Sequence, residues 1–378
     1  MAHRVVQIIS KALRNILSPK RGGRHRPRPE TVQRLLLINR LPIGQAVATT
    51  PILSNVRIGL PGAEITLMVQ RPLEELFGSD PRIDALVVKG KRGLTCLRGH
   101  WARGFDMAVI LDPSFRSAWL ARRAGARWIA GYDSRASGVF LDARLRPPEY
   151  WERPLREYFG QVLPIHQTDA WLQLIPLIGL SLEERAPYIA LSDADRFWAE
   201  ERIAGMPGTG PLIAFHPGGN ASCRWPLPYW GRLATELFRT KQARLVVTGG
   251  PQDMALGQKL AATTSAPMLC LSGEATLGQT AAVFSRMDGV VSGDSCAPHI
   301  AAAVGTSCVT LFGAGDPDIR RPYGKWHISL RTEMSLPCLG CKRDTCALER
   351  HECMLGIPVE KVLQAILKLP SREPVCQA

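Results

Sequence analysis

The sequence predicts an α/β protein with two doubly wound parallel sheets, and three observations lead to this fold class. From residue 34 to residue 124, short apolar runs that suit buried strands alternate with segments of helical spacing. The same alternation restarts at Pro211 and continues to Phe312. The chain has 378 residues, 46% of them hydrophobic, which is enough for about two domains of ~150–200 residues with a core each.

The first half contains four predicted strands and two predicted helices. The strands are residues 34–39, 64–69, 85–88 and 106–111, and the helices are residues 45–58 and 116–124. The run RLLLIN at 34–39 is apolar and ends in a polar residue, as a buried parallel strand does. Residues 144–187 are less regular and include two adjacent prolines, so we expect helices and loops there.

The second half alternates more regularly. Its predicted strands are residues 212–215, 244–248, 268–271, 289–292 and 308–312, and its predicted helices are residues 193–203, 229–240, 252–264, 277–286, 299–304 and 358–369. We therefore expect a tail at 1–30, one domain at 31–190, a second at 191–357, and a C-terminal helix and tail at 358–378. Ligands of such sheets bind outside the carboxyl ends of the strands.

The formal net charge is +14, and part of it lies in the N-terminal tail. Eight cationic residues precede Glu30 without any acid: Arg4, Lys11, Arg14, Lys20, Arg21, Arg24, Arg26 and Arg28. Val5, Ile9, Leu13 and Ile16 recur at helical steps. The tail is therefore a disordered basic segment, a helix on an anionic membrane surface, or a nucleic-acid arm. It contains no Phe, Tyr or Trp for base stacking, so we expect the membrane surface rather than nucleic acid.

The chain shows no targeting or membrane-spanning pattern. No apolar run reaches the ~18 residues that a spanning helix needs. The N-terminus lacks a compact apolar stretch followed by a small-residue cleavage site. We therefore expect a cytoplasmic protein that lies on the inner face of the inner membrane.

Three glycine-bearing turns follow predicted strands of the second domain. The first is HPGGNASCRWP at 216–226, in which glycines permit a close backbone approach and Arg224 offers forked donors to phosphate. The second is GDSCAPHIAA at 293–302, which opens a helix whose N-terminus suits a diphosphate. The third is LFGAGDP at 311–317. Each turn alone is also compatible with an ordinary loop. In the second turn, Asp294 and Ser295 are also compatible with simple N-capping, and His299 with a buried structural histidine.

Taken together, these turns resemble glycosyltransferase family 9, the bacterial heptosyltransferases of lipopolysaccharide core assembly. The order is HPG…RWP, VVTGGP, D-S-x-x-x-H-x-A-A and LFGxxDP, and INRLPIGQAVATTPIL resembles the start of the family's first domain. The likeness runs from about Arg34 to Leu369. It implies a GT-B fold, in which two Rossmann-like domains face a central cleft and bind the acceptor and the nucleotide sugar, respectively. It also implies an inverting transfer, usually of heptose from an ADP-sugar, without a catalytic metal or other cofactor.

The resemblance also implies roles for particular residues. Arg224 would hold the diphosphate, while Gly219 and Asn220 match the loop that faces the phosphates. Asp294, Ser295 and His299 match the donor-site motif. Cys296 stands where the family usually has glycine, which puts the backbone approach at that point in doubt.

A larger departure concerns the catalytic base. The family pattern places an aspartate after the glycine of the first turn, where this chain has Gln45, and an amide cannot accept the proton at neutral pH. Asp112 follows the predicted strand 106–111, at the same edge of the sheet. It is either a replacement base or only the start of the turn before Pro113.

Four of the ten cysteines crowd one stretch, namely Cys338, Cys341, Cys346 and Cys353. Four thiolates at this spacing can bind zinc tetrahedrally, although only the first pair has the usual C-x2-C form. Reduced packing cysteines and a disulfide pair are the two alternatives.

The sequence thus predicts an inverting glycosyltransferase that moves a sugar, with heptose favoured, from a nucleotide-diphosphate sugar to an anionic glycolipid acceptor. Two other classes stay open. Gln45 permits a catalytically silent nucleotide-sugar-binding protein, and the basic charge permits a nucleic-acid-binding protein.

Overall fold

The structure is a computed structural model that describes residues 24–89, 103–134, 136–148, 151, 165–343, 345–348 and 350–370. Most of the predicted N-terminal tail and the end of the chain after residue 370 lie outside these residues. The described chain divides into two compact units. The first holds the residues up to Trp151 together with Thr168–Arg185, and the second holds residues 165–167 together with those from Ala186 onward.

The first unit is built on one parallel sheet. Its strands are β1 Arg34–Asn39, β2 Glu64–Gln70, β3 Ala85–Lys89, β4 Phe105–Ile110, β5 Ala126–Tyr132 and β6 Ala143–Leu145. Its helices are α1 Ile43–Ala48, α2 Thr50–Gly59, α3 Glu74–Phe77, α4 Phe115–Arg123, α5 Gln167–Leu172, of which Gln167 itself belongs to the second unit, and α6 Leu174–Leu177. The strand order is β3-β2-β1-β4-β5-β6. The interior of β1 is fully buried, as its continuous apolar run predicts.

Two features of the first unit differ from the sequence prediction. The helix expected at 45–58 is two helices, α1 and α2, because Pro51 lies in the first turn of α2 and has no N–H to continue the ladder. Strands β5 and β6 were not predicted. The sequence of β5, ARWIAGY, carries an arginine and a glycine that interrupt its apolar pattern.

The second unit repeats the architecture. Its strands are β7 Leu212–His216, β8 Arg244–Val247, β9 Met268–Cys270, β10 Gly289–Gly293, β11 Cys308–Phe312 and β12 Ile328–Arg331. Its helices are α7 Asp193–Ala204, α8 Leu227–Lys241, α9 Met254–Thr263, α10 Leu277–Phe284, α11 Ala297–Ala303, α12 Pro317–Arg320, α13 Glu352–Leu355 and α14 Val359–Leu367. Ser192 accepts a hydrogen bond from the N–H of Asp195 and caps α7 as predicted.

In both sheets the strand order changes direction at an equivalent place, between the first and the fourth strand. The second sheet has the order β12-β11-β10-β7-β8-β9, which is the same order as the first sheet when its own strands are counted from one to six. In such sheets the crevice beside the first and fourth strands receives the ligand. The loops after β1 and β4 in the first unit, and after β7 and β10 in the second, are therefore where substrates are expected.

The C-terminal helix α14 belongs to the core of the second unit. Val362 and Ile366 pack with Trp230 and Leu237 of α8 in one buried cluster. Trp225 donates from its indole nitrogen to the carbonyl oxygen of Ile357, at 3.0 Å. No helix in the described residues is long and apolar enough to cross a membrane.

Candidate active site

Arg224 is held by two contacts in the loop that follows β7. Its Nε donates to the carbonyl oxygen of Gly219 at 2.9 Å, and its Nη2 lies 3.3 Å from Oδ1 of Asp253. The Asp253 side chain is 2% exposed, whereas that of Arg224 is 41% exposed. A buried carboxylate therefore fixes one edge of the guanidinium and leaves the rest open to a ligand.

Asp253 was missed by the sequence reasoning, although the glycines around it signal its position. A Cβ added at Gly218 would overlap the Asp253 carboxylate, and one added at Gly249 would lie 2.9 Å from the Asp253 Cβ. Of the four glycines in HPGG and VVTGGP, Gly218 and Gly249 therefore make room for this acid. Among these four glycines, Gly219 is the one whose backbone conformation, with φ +99°, requires glycine.

We expect Gly218→Ala to weaken nucleotide binding about tenfold. The added methyl group must displace Asp253, and the loss of one charge-assisted contact to Arg224 is worth about 1.5 kcal/mol. Isothermal titration with ADP measures the effect. Gly231→Ala is the matched control, because nothing lies within 4 Å of its added Cβ. Equal affinities for the two variants would contradict the role assigned to Asp253.

The loop after β10 brings Asp294 and Ser295 to the neighbouring strand end. Asp294 is buried, with a side chain that is 6% exposed, and its Oδ2 lies 3.5 Å from Nη1 of Arg320. Burial raises the pKa of Asp294, against the opposing charge of Arg320. The hydroxyl of Ser295 accepts from the N–H of Ala297 at 3.2 Å. The N-cap of α11 is Cys296, without a side-chain capping hydrogen bond, so Ser295 stabilises the turn before the helix and does not cap it.

His299 lies in the first turn of α11 and is neutral. Burial, followed by the charges of His166, Arg320 and His327, lowers its pKa to about 3. The side-chain nitrogen of Gln167 lies 3.4 Å from its Nε2. If that amide nitrogen donates to Nε2, the one proton of the neutral ring is on Nδ1, from which it can be donated to a phosphate oxygen.

The third glycine turn, residues 313–316, is bound by later parts of the chain. Its carbonyl oxygens accept from the N–H of Gly340 at 3.4 Å, from the N–H of Lys342 at 2.9 Å, and from Nη2 of Arg331 at 3.3 Å. Asp316 is buried and accepts from the N–H of Asp318 at 3.1 Å. The turn is therefore fixed on both sides.

The four clustered cysteines are free thiols beside this turn. A Cβ at Gly313 would lie 2.9 Å from the Sγ of Cys353. Burial raises the pKa of Cys353, and Cys346, Cys338 and Cys341 add to the effect. Among the described residues no three Cys, His, Asp or Glu side chains are placed to hold a metal ion. Zinc binding is therefore not shown by the described residues, and these four cysteines form no disulfide in the structure.

In the first unit, Asp112 lies directly after β4. Its Oδ2 accepts from the hydroxyls of Ser114 and Ser117, at 2.8 and 2.7 Å, and lies 3.9 Å from Nη1 of Arg40. Its Oδ1 is buried and has no hydrogen-bond partner among the described residues. Burial raises the pKa of Asp112, and the two serine hydrogen bonds oppose that change. A carboxylate with one free oxygen and a raised pKa has the properties of a general base.

Gln45 lies at the same edge of the first sheet, because β1 and β4 are neighbours and Ile38 pairs with Ile110. It is half-buried in α1, and its side chain makes no hydrogen bond to the described residues. The charges of Arg40 and Arg116 act on Lys89 and, after burial, lower its pKa. This edge therefore has three basic side chains around one carboxylate.

Sheets of this order, with a glycine turn and an anchored guanidinium at the switch point, are typical of proteins that bind phosphate-bearing nucleotides. The comparisons with known proteins agree. Residues 98–351 match the family model described as glycosyltransferase family 9 (heptosyltransferase). The chain belongs to this family and is a glycosyltransferase.

Individual relatives are distant but cover most of the chain. Lipopolysaccharide heptosyltransferase 1 of Pseudomonas aeruginosa is 24% identical over 84% of this chain and 89% of its own length. The glycosyltransferase family 9 structure from Veillonella parvula is 23% identical, with a TM-score of 0.74, and covers 89% of this chain and 97% of its own. Escherichia coli heptosyltransferase WaaC with ADP-2-deoxy-2-fluoro heptose is 16% identical, with a TM-score of 0.65, over 89% and 99%. The predicted GT-B class with two Rossmann-like domains is confirmed.

Proposed function

We propose that this glycosyltransferase moves heptose from ADP-heptose to a hydroxyl of a lipopolysaccharide-core or related glycolipid acceptor, with inversion at the anomeric carbon. The observation that carries the proposal is Arg224, which is anchored by a buried carboxylate at the switch point of the second sheet and has a side chain that is 41% exposed. The names of the relatives, and the ADP-heptose analogue in one of their structures, support heptose and adenine.

The donor diphosphate would lie between the first two glycine turns of the second unit. Arg224 binds phosphate oxygens, Gly219 and Asn220 form the facing loop, and Ser295 orders the start of α11. Asp294 and His299 contact the sugar or the phosphates. As the bond from the anomeric carbon to the diphosphate breaks, negative charge grows on the leaving oxygen, and Arg224 stabilises it. The chemistry needs no metal, because the guanidinium supplies the compensating charge.

The acceptor hydroxyl would be activated in the first unit. Its oxygen attacks the anomeric carbon while its proton passes to the free Oδ1 of Asp112. The basic edge formed by Arg40, Lys89 and Arg116 suits a phosphate or carboxylate group on the acceptor. A glycolipid acceptor would place the protein on the cytoplasmic face of the inner membrane, where the basic tail would contact anionic lipid.

The second candidate is a nucleotide-sugar-binding protein without turnover. Gln45 favours it, since a positioned base is worth about 10²–10⁴ in rate and the amide cannot act as one. In that case, the donor pocket would serve binding alone.

A donor screen separates these functions. We expect ADP-heptose to raise the melting temperature more than GDP-, UDP- or dTDP-sugars, since a ligand at 100 times its Kd stabilises by about 2.7 kcal/mol. The same donor is then incubated with a lipopolysaccharide-core acceptor, and released ADP is measured. Stabilisation without transfer or hydrolysis would support the silent protein. No stabilisation by any nucleotide sugar would remove both candidates.

A further inference from the structure

Arg40 and Asp112 lie side by side at the carboxyl-terminal edge of the first sheet. Strands β1 and β4 are neighbours, and Ile38 pairs with Ile110, so each of the two residues follows its paired strand position at the same distance along the chain. Nη1 of Arg40 lies 3.9 Å from Oδ2 of Asp112, and their side chains are 14% and 11% exposed. Protonation of Asp112 would leave Arg40 buried without its ion-pair partner among the described residues, which is unfavourable for a buried charge.

Ser117 connects these two side chains through hydrogen bonds of defined direction. Nη1 of Arg40 donates to the Ser117 hydroxyl oxygen at 3.1 Å, and that hydroxyl donates to Oδ2 of Asp112 at 2.7 Å. A guanidinium has donors and no acceptor, so it cannot accept the hydroxyl hydrogen of Ser117. The single hydrogen of that hydroxyl is therefore directed to the carboxylate.

The start of α4 directs a second hydroxyl to the same carboxylate oxygen. Ser114 caps this helix by accepting from the N–H of Ser117 at 3.2 Å, and its hydroxyl donates to Oδ2 of Asp112 at 2.8 Å. Two hydroxyl donors and one guanidinium thus face Oδ2, whereas the buried Oδ1 has no hydrogen-bond partner among the described residues. The proton of an acceptor hydroxyl would therefore pass to Oδ1.

The same contacts determine how this carboxylate titrates. Burial raises the pKa of Asp112, and the two serine hydrogen bonds and the charge of Arg40 oppose that change. The cations Lys89, at the end of β3, and Arg116, in the first turn of α4, also belong to this edge of the sheet. Lysine and arginine ordinarily titrate above about pH 10, far from the range in which a carboxylate takes up a proton.

We propose that Arg40 is a positioning residue that acts through Ser117, keeping Asp112 ionised and its Oδ1 free for the proton of the acceptor. The inference rests on the proposed function, in which Asp112 is the general base. It assigns Arg40 to the carboxylate of the enzyme itself, while Lys89 and Arg116 remain for an anionic group of the acceptor.

The test compares Arg40→Met and Ser117→Ala with the wild-type protein in the full chain. Arg40→Lys is added because it keeps the charge without the forked donors. The matched controls are Arg127→Met, which removes the ion-pair partner of Asp106, and Ser54→Ala, which removes a hydroxyl that accepts from another arginine at 2.7 Å. Circular dichroism and the melting temperature establish that each variant is folded.

Two measurements follow the carboxylate in every variant. The pH profile of kcat/KM, with ADP-heptose and a lipopolysaccharide-core acceptor, reports the base in the free enzyme. Carbon-13 NMR of protein labelled at the aspartate carboxyl groups titrates Asp112 directly and without turnover, and Asp112→Asn assigns its signal.

We expect Arg40→Met and Ser117→Ala each to move the titration of Asp112, and the acidic limb of the profile, about one pH unit upward. The shift is upward because the lost contacts favour the ionised carboxylate, so a higher pH is needed to remove its proton. Arg40→Lys should shift both less, and the two controls should leave both unchanged. In the Ser117→Ala background, Arg40→Met should shift the titration less than it does in the wild type, because the connecting hydroxyl is absent.

An unchanged titration of Asp112 in folded Arg40→Met or Ser117→Ala would overturn the inference. Equal shifts by Arg40→Met with and without the Ser117 hydroxyl would also overturn it, since Arg40 would then act on the carboxylate directly. A higher KM for the acceptor with an unshifted profile in Arg40→Met would make Arg40 an acceptor-binding residue instead. If the wild-type protein turns over no donor but the NMR shifts are observed, the proposed function fails, whereas the positioning of Asp112 by Arg40 stands.

Discussion

Arg224→Ala should lower kcat for sugar transfer about 10²–10³-fold, which is the loss typical of removing one donor from a developing oxyanion. The guanidinium is held by Gly219 and Asp253 before the substrate arrives, so its interaction strengthens as charge moves onto the leaving diphosphate. Steady-state kinetics with saturating acceptor measure the effect. Arg224→Lys should recover part of the loss, since it keeps the charge but not the forked geometry.

The control for Arg224 is Arg232→Ala, which removes a guanidinium paired with exposed Glu360. It should leave kcat and KM unchanged. A rise in KM with unchanged kcat for Arg224→Ala would mean that the residue binds the ground state and the transition state equally. The assigned role in leaving-group stabilisation would then be wrong.

Asp112→Asn should lower turnover about 10²–10⁴-fold and leave the affinity for ADP unchanged. The substitution keeps the shape of the side chain and its hydrogen bonds with Ser114 and Ser117 but removes the proton acceptor. A base is active when ionised, so wild-type activity should be lost as the pH falls through the pKa of Asp112. That pKa lies above the ordinary value of 3.8 because of burial.

Two further variants show whether the base has moved from residue 45 to residue 112. Gln45→Ala should change turnover little, because the amide takes no proton. Gln45→Asp added to Asp112→Asn should restore part of the activity. Unchanged turnover in Asp112→Asn would leave Asp112 as a turn residue only, a role supported by the hydrogen bond from the N–H of Ser114 to its carbonyl oxygen at 2.7 Å.

The sequence predicted the strands and helices that a short stretch of residues specifies by its own apolar pattern. Strands such as Arg34–Asn39 and Cys308–Phe312 are mostly apolar runs that end at glycine or polar turns, and the structure has them at the predicted residues. Strands β5, β6 and β12 were not predicted. The last two are short, with three and four residues, and arginine interrupts the apolar pattern in β5 and β6 and ends β12.

The residues that support the site were less accessible to sequence reasoning. Arg224 and Asp294 stand in recognisable turns, but their partners lie 29 and 26 residues away. The residue types at positions 253 and 320 do not identify Asp253 or Arg320 as a partner, because a contact between separate loops depends on how the strands are ordered. The glycines at 218 and 315, where an added Cβ would overlap the acid, were the available signal, and the glycines of the first turn were interpreted as room for a ligand rather than for an acid.

Because Asp253 anchors Arg224, this side chain loses conformational entropy when the protein folds rather than when the nucleotide binds. A free arginine side chain has about 2 kcal/mol of rotamer entropy, and part of it is already lost in the folded protein. Folding therefore carries a cost that nucleotide binding would otherwise bear. A variant that frees the guanidinium should bind ADP with a less favourable entropy and gain conformational freedom in the unliganded state.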